Sequence, residues 1–381
     1  MGHDLRLSHL PFPELSTMKT LTDRSLSSLR VAGRMARNAW DLSWFGDGVE
    51  HERTPTELLY DEPHARVERV APDAPVSGNP VLLVTPLAVP VTCWDLREGQ
   101  SLAAHLTAVD GSAGPGRPTY TIDYGAIRFA DRGMGFEDWI DGILPTAVER
   151  ISAAHGGAKV HLVGWSHGGT MSLLLGAHHP DLPIASISCF GTPTDYRRNP
   201  AYKGLFWVYD HLGPAFVVTP MAIAGGTTAP LTRLGYRWMA PVREITKPWT
   251  VLRNLHQPEV LARINAVDQF VDAMPGYPGR FFNQALTRLV CEQEFVKGAV
   301  HLREDLVVRM ERLVTPLLLI GSTADVLANA ASVEAGVEAY RNADVTFLKV
   351  KGFSHLGLIA SPRAHQETWP AVLQHLAAHD G

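Results

Sequence analysis

Cysteine is scarce in this sequence. Only Cys93, Cys189 and Cys291 occur in 381 positions. They lie too far apart for a CxxC pair or a zinc-finger spacing, so neither a disulfide framework nor a cysteine-based metal site is expected. No apolar run is long enough to cross a bilayer. The opening MGHDLRLSHLPFPE puts acids and prolines where a signal peptide needs a basic start and an apolar core. Gly2 opens no myristoylation signal, because position 6 is Arg6. Neither sign of charge dominates: 34 Lys and Arg against 39 Asp and Glu leave a net −5, which argues against a nucleic-acid partner. Internal repeats and low-complexity tracts are absent. The expectation from these gaps is a soluble chain in the reducing cytoplasm.

What is present is the composition of an ordinary globular protein, 45% hydrophobic and 19% charged, long enough for one large α/β domain with an insertion. Apolar runs alternate with helical spacings. Val81-Leu82-Leu83-Val84 is continuously apolar, as a strand covered on both faces should be. A helix is expected from Asp95 to Ala103, a strand at 119–124, a helix at 136–151 and a strand at 159–163. A further helix follows directly, then a strand at 183–190. Ala65–Val70 reads as an alternating strand, and residues 15–60 look helical in part. From 196 to 312 the rhythm breaks into aromatic-rich sequence with helices and no clear strand. Alternation resumes at 314–321 and 344–350, and a last helix spans 371–378.

This order predicts a mostly parallel sheet with helices on both faces and a helical lid or cap insertion. The division expected is an N-terminal helical and extended segment (1–78) packing on the core, a core made of 79–195 and 313–381, and a lid at 196–312.

The segment Lys159-Val160-His161-Leu162-Val163-Gly164-Trp165-Ser166-His167-Gly168-Gly169 runs from a strand through Gly-x-Ser-x-Gly into a helix. This is the form of a nucleophile elbow, in which a strained turn lifts one hydroxyl above the sheet. Any Cβ at Gly164 or Gly168 would collide with the neighbouring strand or helix, and Gly169 lets the helix pack close. Asp325 follows the apolar strand 317–320, where an acid can serve the sheet edge or simply cap a helix starting near Ala328. His355 lies on a Gly-flanked loop after the last strand. The chain order Ser166, Asp325, His355 is that of α/β-hydrolases. The oxyanion hole would take the backbone N–H of His167 and one from the loop after Val84, where non-proline donors leave Leu87 or Ala88.

The remaining candidates have plainer explanations. Asp195 also follows a strand and is the fallback acid. His375 and His379 have the spacing of a metal pair without a third ligand, and are expected to be exposed helix residues. His178 and His179 are expected to cap a helix end, while His301 and His365 have no strand before them. No metal and no organic cofactor is required.

From near Thr54 to the C-terminus the chain resembles the polyhydroxyalkanoate synthases, in particular their shorter catalytic subunits. The carriers are Thr54-Pro55, Pro80-Val81-Leu82-Leu83-Val84-Thr85-Pro86, Trp94-Asp95-Leu96-Arg97 with Ser101-Leu102, and the elbow with its double glycine. Gly191-Thr192-Pro193-Thr194-Asp195-Tyr196, Asp325 and Ser354-His355-Leu356-Gly357 complete them. The resemblance implies an acyl-transfer enzyme with Asp325 and His355 as acid and base, a structural role for Asp195, and 3-hydroxyacyl-CoA as the family's substrate.

The departure is at the nucleophile. The synthases carry Cys in Gly-x-Cys-x-Gly-Gly, and this chain has Ser166. A serine oxygen ester is a lower-energy intermediate than a thioester. It points to hydrolysis or single transfer of a hydrophobic ester or thioester, in the manner of an esterase, lipase, thioesterase or acyltransferase. Polymerisation and a non-catalytic partner subunit are the alternatives. The expected partners are a small-molecule or polymeric acyl ester or thioester, acyl-CoA among them, and a second copy of the chain in a homodimer is admissible.

Overall fold

A computed structural model describes residues 53–108, 116–217, 226–238 and 241–380, with Val31, Gly33, Met35 and Thr219 as isolated positions. The helix expected within 15–60 lies almost wholly outside them. The chain divides into two compact units, residues 51–241 with 266–381 and residues 1–50 with 242–265. In the second, the described part of 242–265 is helical up to Arg253 and again from Pro258. All that follows concerns the first.

Twelve strands occur among the described residues: β1 (Thr56–Glu62), β2 (Ala65–Val70), β3 (Val81–Val84), β4 (Thr119–Asp123), β5 (Val160–Trp165), β6 (Ile184–Phe190), β7 (Gly226–Thr227), β8 (Tyr277–Pro278), β9 (Ala299–Arg303), β10 (Leu306–Arg309), β11 (Leu317–Ser322) and β12 (Val345–Val350). Eight form one sheet in the order β1-β2-β4-β3-β5-β6-β11-β12. The run from β4 to β12 is parallel, and β1 and β2 join it antiparallel at one edge.

The central strands are buried at every position in β3, β5, β6 and β11, and their side chains split by the period of two. Leu82, Val84, Leu162, Ile187 and Leu319 face one core with Met171, Leu174, Trp139, Leu144 and Val148. Val81, Leu83, Val163, Phe190, Leu318 and Ile320 face another with Leu102, Leu106, Trp369, Val372 and Leu376. Helices Leu144–Ala154 and His167–His178 therefore cover one face, and Leu102–Leu106 and Thr368–Ala378 the other. That double cover explains why these strands read as unbroken apolar runs.

Register aligns the carboxyl ends. Val84 pairs with Gly164, Trp165 with Phe190, Phe190 with Ile320 and Ser322 with Val350. The loops after β3, β5, β6, β11 and β12 thus leave the sheet along one edge, where parallel sheets present their ligands.

Several local expectations are corrected. Residues 91–94 form a 3₁₀ turn, and the helix expected from Asp95 begins only at Leu102, where the Ser101 side chain accepts from Ala104 N at 2.9 Å. The helix expected at 136–151 is present, but its first part, Asp138–Ile143, is a π-turn that leads into an α-helix, Leu144–Ala154. The segment 196–312 does contain strands: β9 and β10 pair antiparallel, with Val300, Leu302, Leu306 and Val308 in the first core. His301 lies within β9 rather than on strandless chain, and its alternation with buried valine and leucine was the missed signal. His375 is buried, not exposed.

At the amino end of the sheet Asp380 ties the C-terminus to the core. Its carboxylate takes a bidentate pair from Arg117 at 2.7 and 2.6 Å and a bond from Asn79 N at 3.1 Å. His161 Nε2 lies 3.2 Å from the same carboxylate, and its Nδ1 2.8 Å from Ser186 Oγ. Burial lowers the pKa of His161 to about 4, against the pull of Asp380, and burial with repulsion from His379 lowers that of His375 to about 4.

Both groups bind protons less readily folded than unfolded. Between the ordinary histidine value of about 6.5 and about 4 the unfolded chain therefore holds more protons, and stability falls as pH falls through that window. Each histidine contributes on the order of 2–3 kcal/mol to this loss. Denaturant midpoints measured from about pH 7 down to about pH 4.5 should decline steadily. A flat profile would show that these imidazoles are not held neutral.

Candidate active site

Ser166 sits between β5 and the helix His167–His178 with φ 54° and ψ −122°. A non-glycine residue there costs about 1–3 kcal/mol, so its surroundings must hold it. Its N–H donates to Phe190 O at 2.9 Å, and its carbonyl accepts from Thr170 N and Thr192 Oγ1, both at 3.1 Å. The glycines behave as their spacing predicts. A Cβ on Gly164 would lie 2.5 Å from Gly169 N, one on Gly168 2.0 Å from Val84 O, and one on Gly169 2.0 Å from Thr192 Oγ1. The elbow is thus wedged between the ends of β3 and β6.

Asp325 leaves the end of β11 and is 2% exposed. Its two oxygens have separate duties. Oδ1 accepts from Leu327 N at 2.8 Å and Ala328 N at 2.9 Å, which fixes the turn. Oδ2 lies 2.7 Å from His355 Nδ1. The helix that follows, Ala330–Glu334, is capped by Asn329, so Asp325 caps a turn and not that helix.

The carboxylate selects the tautomer in which Nδ1 carries the proton, leaving the Nε2 lone pair as acceptor. Trp165 Nε1 donates to the His355 carbonyl at 3.2 Å, and its indole lies 5.0 Å from the imidazole. Asp195 has no part in this pair. It caps the 3₁₀ turn Tyr196–Arg198 through Arg197 N at 2.9 Å and pairs with Arg198 at 3.2 Å.

After β3, Thr85 Oγ1 donates to Ile122 O at 2.7 Å and accepts from Trp94 Nε1 at 3.2 Å, anchoring the loop that carries Leu87 and Ala88. Ala88 has φ 60°, a second strained non-glycine residue. Ala88, Ser166, His167 and His355 line one cavity of about 570 Å³. Leu87 does not line it. It faces an adjoining cavity of about 720 Å³, whose wall Ala88, Val89, Thr227 and Tyr277 share with the first.

Burial, with repulsion from His355, lowers the His167 pKa to about 4, so its ring is neutral. Its Nδ1 lies 3.3 Å from the Tyr277 hydroxyl.

Three residues of this site have a role that the sequence reading did not assign. Tyr277 comes from β8, far along the chain. Trp165 reads as an ordinary strand residue. Gly191 follows β6 with φ 51°, and a Cβ there would stand 3.0 Å from Asp325 Oδ2 and 3.1 Å from His355 Nδ1. The Gly-Thr-Pro stretch at 191–193 marks the end of a strand in sequence, but in space it underlies the acid and histidine.

Among curated proteins the chain is similar to Poly(3-hydroxyalkanoate) polymerase subunit PhaC of Allochromatium vinosum, 26% identical over 92% of this chain and 95% of that protein. It is also similar to the subunit of the same name from Synechocystis sp., 26% identical over 87% and 86%. Among solved structures, the monoacylglycerol lipase of Paleococcus ferrophilus shares the fold with a TM-score of 0.50 and 17% identity, over 80% of this chain and 98% of that one. Residues 132–359, more than half of the chain, match the family described as serine aminopeptidase, S33. With its parallel sheet, its elbow at the carboxyl edge and that match, the chain belongs to this family and is an enzyme of the α/β-hydrolase fold.

Proposed function

We propose that Ser166, His355 and Asp325 form a catalytic triad. It would transfer the acyl group of a hydrophobic ester or thioester through an acyl-enzyme, to water or to an alcohol. One observation carries the reading: a serine at a strained elbow and a histidine bonded at 2.7 Å to a buried carboxylate bound the same cavity.

In the first half-reaction His355 Nε2 takes the Ser166 hydroxyl proton as Oγ attacks the acyl carbonyl. The oxyanion is received by the backbone N–H groups of His167 and Ala88, each commonly worth about 3 kcal/mol. Ala88 is preferred to Leu87 because it lines the cavity with Ser166. The imidazolium then protonates the departing alcohol or thiol as the C–O or C–S bond breaks. In the second half-reaction His355 removes a proton from water or an alcohol, which attacks the Ser166 ester, and the imidazolium returns that proton to Ser166 Oγ as the acyl–Oγ bond breaks. Asp325 stabilises the imidazolium in both.

The rest of the cavity wall is mostly apolar. Tyr196, Tyr202, Leu231, Leu234, Phe282 and Leu286 line it, all from 196–312, and this supports a covering role for that segment over the acyl chain. The adjoining cavity carries Arg53, Arg128, Arg132 and Arg233 against one carboxylate, Asp123. That excess of positive charge would suit a leaving group bearing phosphates. It keeps alive a second reading, a polymerising acyltransferase fed by 3-hydroxyacyl-CoA, which the polymerase relatives also favour.

The test is a series of acyl esters of increasing chain length beside the matching acyl-CoAs and 3-hydroxyacyl-CoA, with products identified by mass. Free acid or a single transfer product supports the first reading, and an oligomeric ester series supports the second. Inertness toward every substrate, with no labelling of Ser166 by a fluorophosphonate, would overturn both.

Gly191 would act as a positioning residue. In Gly191→Ala the methyl must push the Asp325–His355 pair by several tenths of an ångström. The expected loss in kcat/KM is about 10-fold, short of the roughly 100-fold of a 1 Å misplacement, carried in kcat with KM little changed, together with an altered acid limb of the pH profile. A fall in melting temperature with unchanged kcat would leave Gly191 a structural residue only.

A further inference from the structure

The helix that begins at the elbow ends at His178, and His179 leaves it with φ −120° and ψ 70°. In a continuing helix, consecutive side chains would diverge by about 100°. Here the break lets both imidazoles turn to the same point. Their rings are 4.4 Å apart, and both Nε2 atoms meet one oxygen of Asp141, at 2.7 Å from His178 and 3.1 Å from His179. Asp141 is supplied by the π-turn Asp138–Ile143. Such turns carry an extra residue that re-aims side chains, and they recur at functional sites. All three donor atoms lie within 4.8 Å of one another.

We propose that Asp141, His178 and His179 bind a divalent transition-metal ion, with Zn²⁺ the best fit. Bonds of about 2.0–2.1 Å in a tetrahedron require donor atoms about 3.3 Å apart. The two histidine–aspartate separations, 2.7 and 3.1 Å, lie a little below that value and must open by about 0.6 and 0.2 Å. Two neutral imidazoles and one carboxylate make a borderline donor set that suits Zn²⁺ and disfavours Mg²⁺ and Ca²⁺, which take oxygen ligands. Arg312, near His178, and Arg303, near Asp141, are positive charges that oppose a cation. Binding requires both rings in the Nδ1–H tautomer, with Nε2 on the metal. Water completes the fourth position. The end of a helix, where the dipole is negative, favours a cation further. None of these three residues lines the cavities at Ser166, so the site is separate from the proposed chemistry.

The test uses the full chain freed of metal by chelation. Titration with Zn²⁺ should show one equivalent bound at micromolar or tighter affinity and a melting temperature raised by a few degrees, about 2–4 °C. Mg²⁺ should produce neither. Co²⁺ in place of Zn²⁺ should give the intense visible absorption of a four-coordinate site. Both signals should disappear in the double variant His178→Gln/His179→Gln, and Asp141→Asn should weaken binding at least tenfold. The Co²⁺ spectrum of the unaltered chain reads the site even if a variant fails to fold. Absence of that spectrum, or undiminished binding by a folded double variant, would overturn the proposal. The second result would place the metal among the other histidines.

Discussion

Replacing Ser166 with alanine is expected to remove acyl transfer almost completely, with a loss in kcat on the order of a millionfold. The physical basis is that, among the described residues, no other serine and no cysteine lines the cavity with His355. Cys189 is buried beneath the elbow, with its thiol pKa pushed up to about 12 by burial, and Cys93 is likewise buried. The variant should fold normally, since the Ser166 contacts that hold the elbow are made by its backbone N–H and carbonyl. Its melting temperature should stay within a few degrees of the parent, while turnover and fluorophosphonate labelling vanish. Persistent labelling at another residue would refute the assignment. Ser166→Cys extends the same test. It restores the sulfur of the resembled synthases at one atom. If the serine oxygen is what favours release over chain growth, longer products from 3-hydroxyacyl-CoA should appear in that variant.

Asp325→Asn carries the second large effect, about 10⁴-fold in kcat. The carboxylate has one oxygen on the turn and one on His355. Asparagine keeps the first: its Oδ1 can still accept from Leu327 and Ala328. Its NH₂ then faces His355 Nδ1 and demands an acceptor there. The imidazole must move its proton to Nε2, the atom that has to receive the Ser166 proton. Chemistry should stop while the fold stays intact. Asp325→Ala loses the turn as well, and should fall in stability by about 1–2 kcal/mol beyond the asparagine variant. Steady-state rates with denaturant midpoints on both variants separate the two duties. Equal activity in the asparagine variant and the parent would mean that the 2.7 Å contact is not part of catalysis.

Much of this site could be seen in the sequence, for one reason. Ser166, Asp325 and His355 each follow a strand within a few residues, and a strand's carboxyl end is a local pattern. Parallel strands in register bring all such ends to one edge, so the chain order alone brings the three into a common neighbourhood. The glycines at 164 and 168 were legible on the same ground, because a strand-turn-helix elbow leaves no room for a Cβ at either position.

Other features were hidden because they depend on partners far along the chain. The β9–β10 hairpin alternates Val300, Leu302, Leu306 and Val308 over only a few residues, amid helical and aromatic sequence that obscured the pattern. The helix assigned from Asp95 failed because Gly99, with φ 71°, and the Ser101 cap delay its start to Leu102. His375 looked like a surface residue. Its burial beside the Pro316 backbone is a matter of how the last helix packs.

By itself the sequence determined the alternation of strand and helix, the doubly covered parallel sheet, and the three strand ends that carry serine, acid and histidine. Those follow from short-range periodicity and turn chemistry, which act between neighbours. Only the tertiary structure decided that Gly191 underlies the Asp325–His355 pair and that Ala88 shares the cavity with Ser166. It also decided that His178 and His179 converge on Asp141. Each of these is a contact between residues distant in the chain, and strand register and helix packing, which no local pattern encodes, set the last few ångströms.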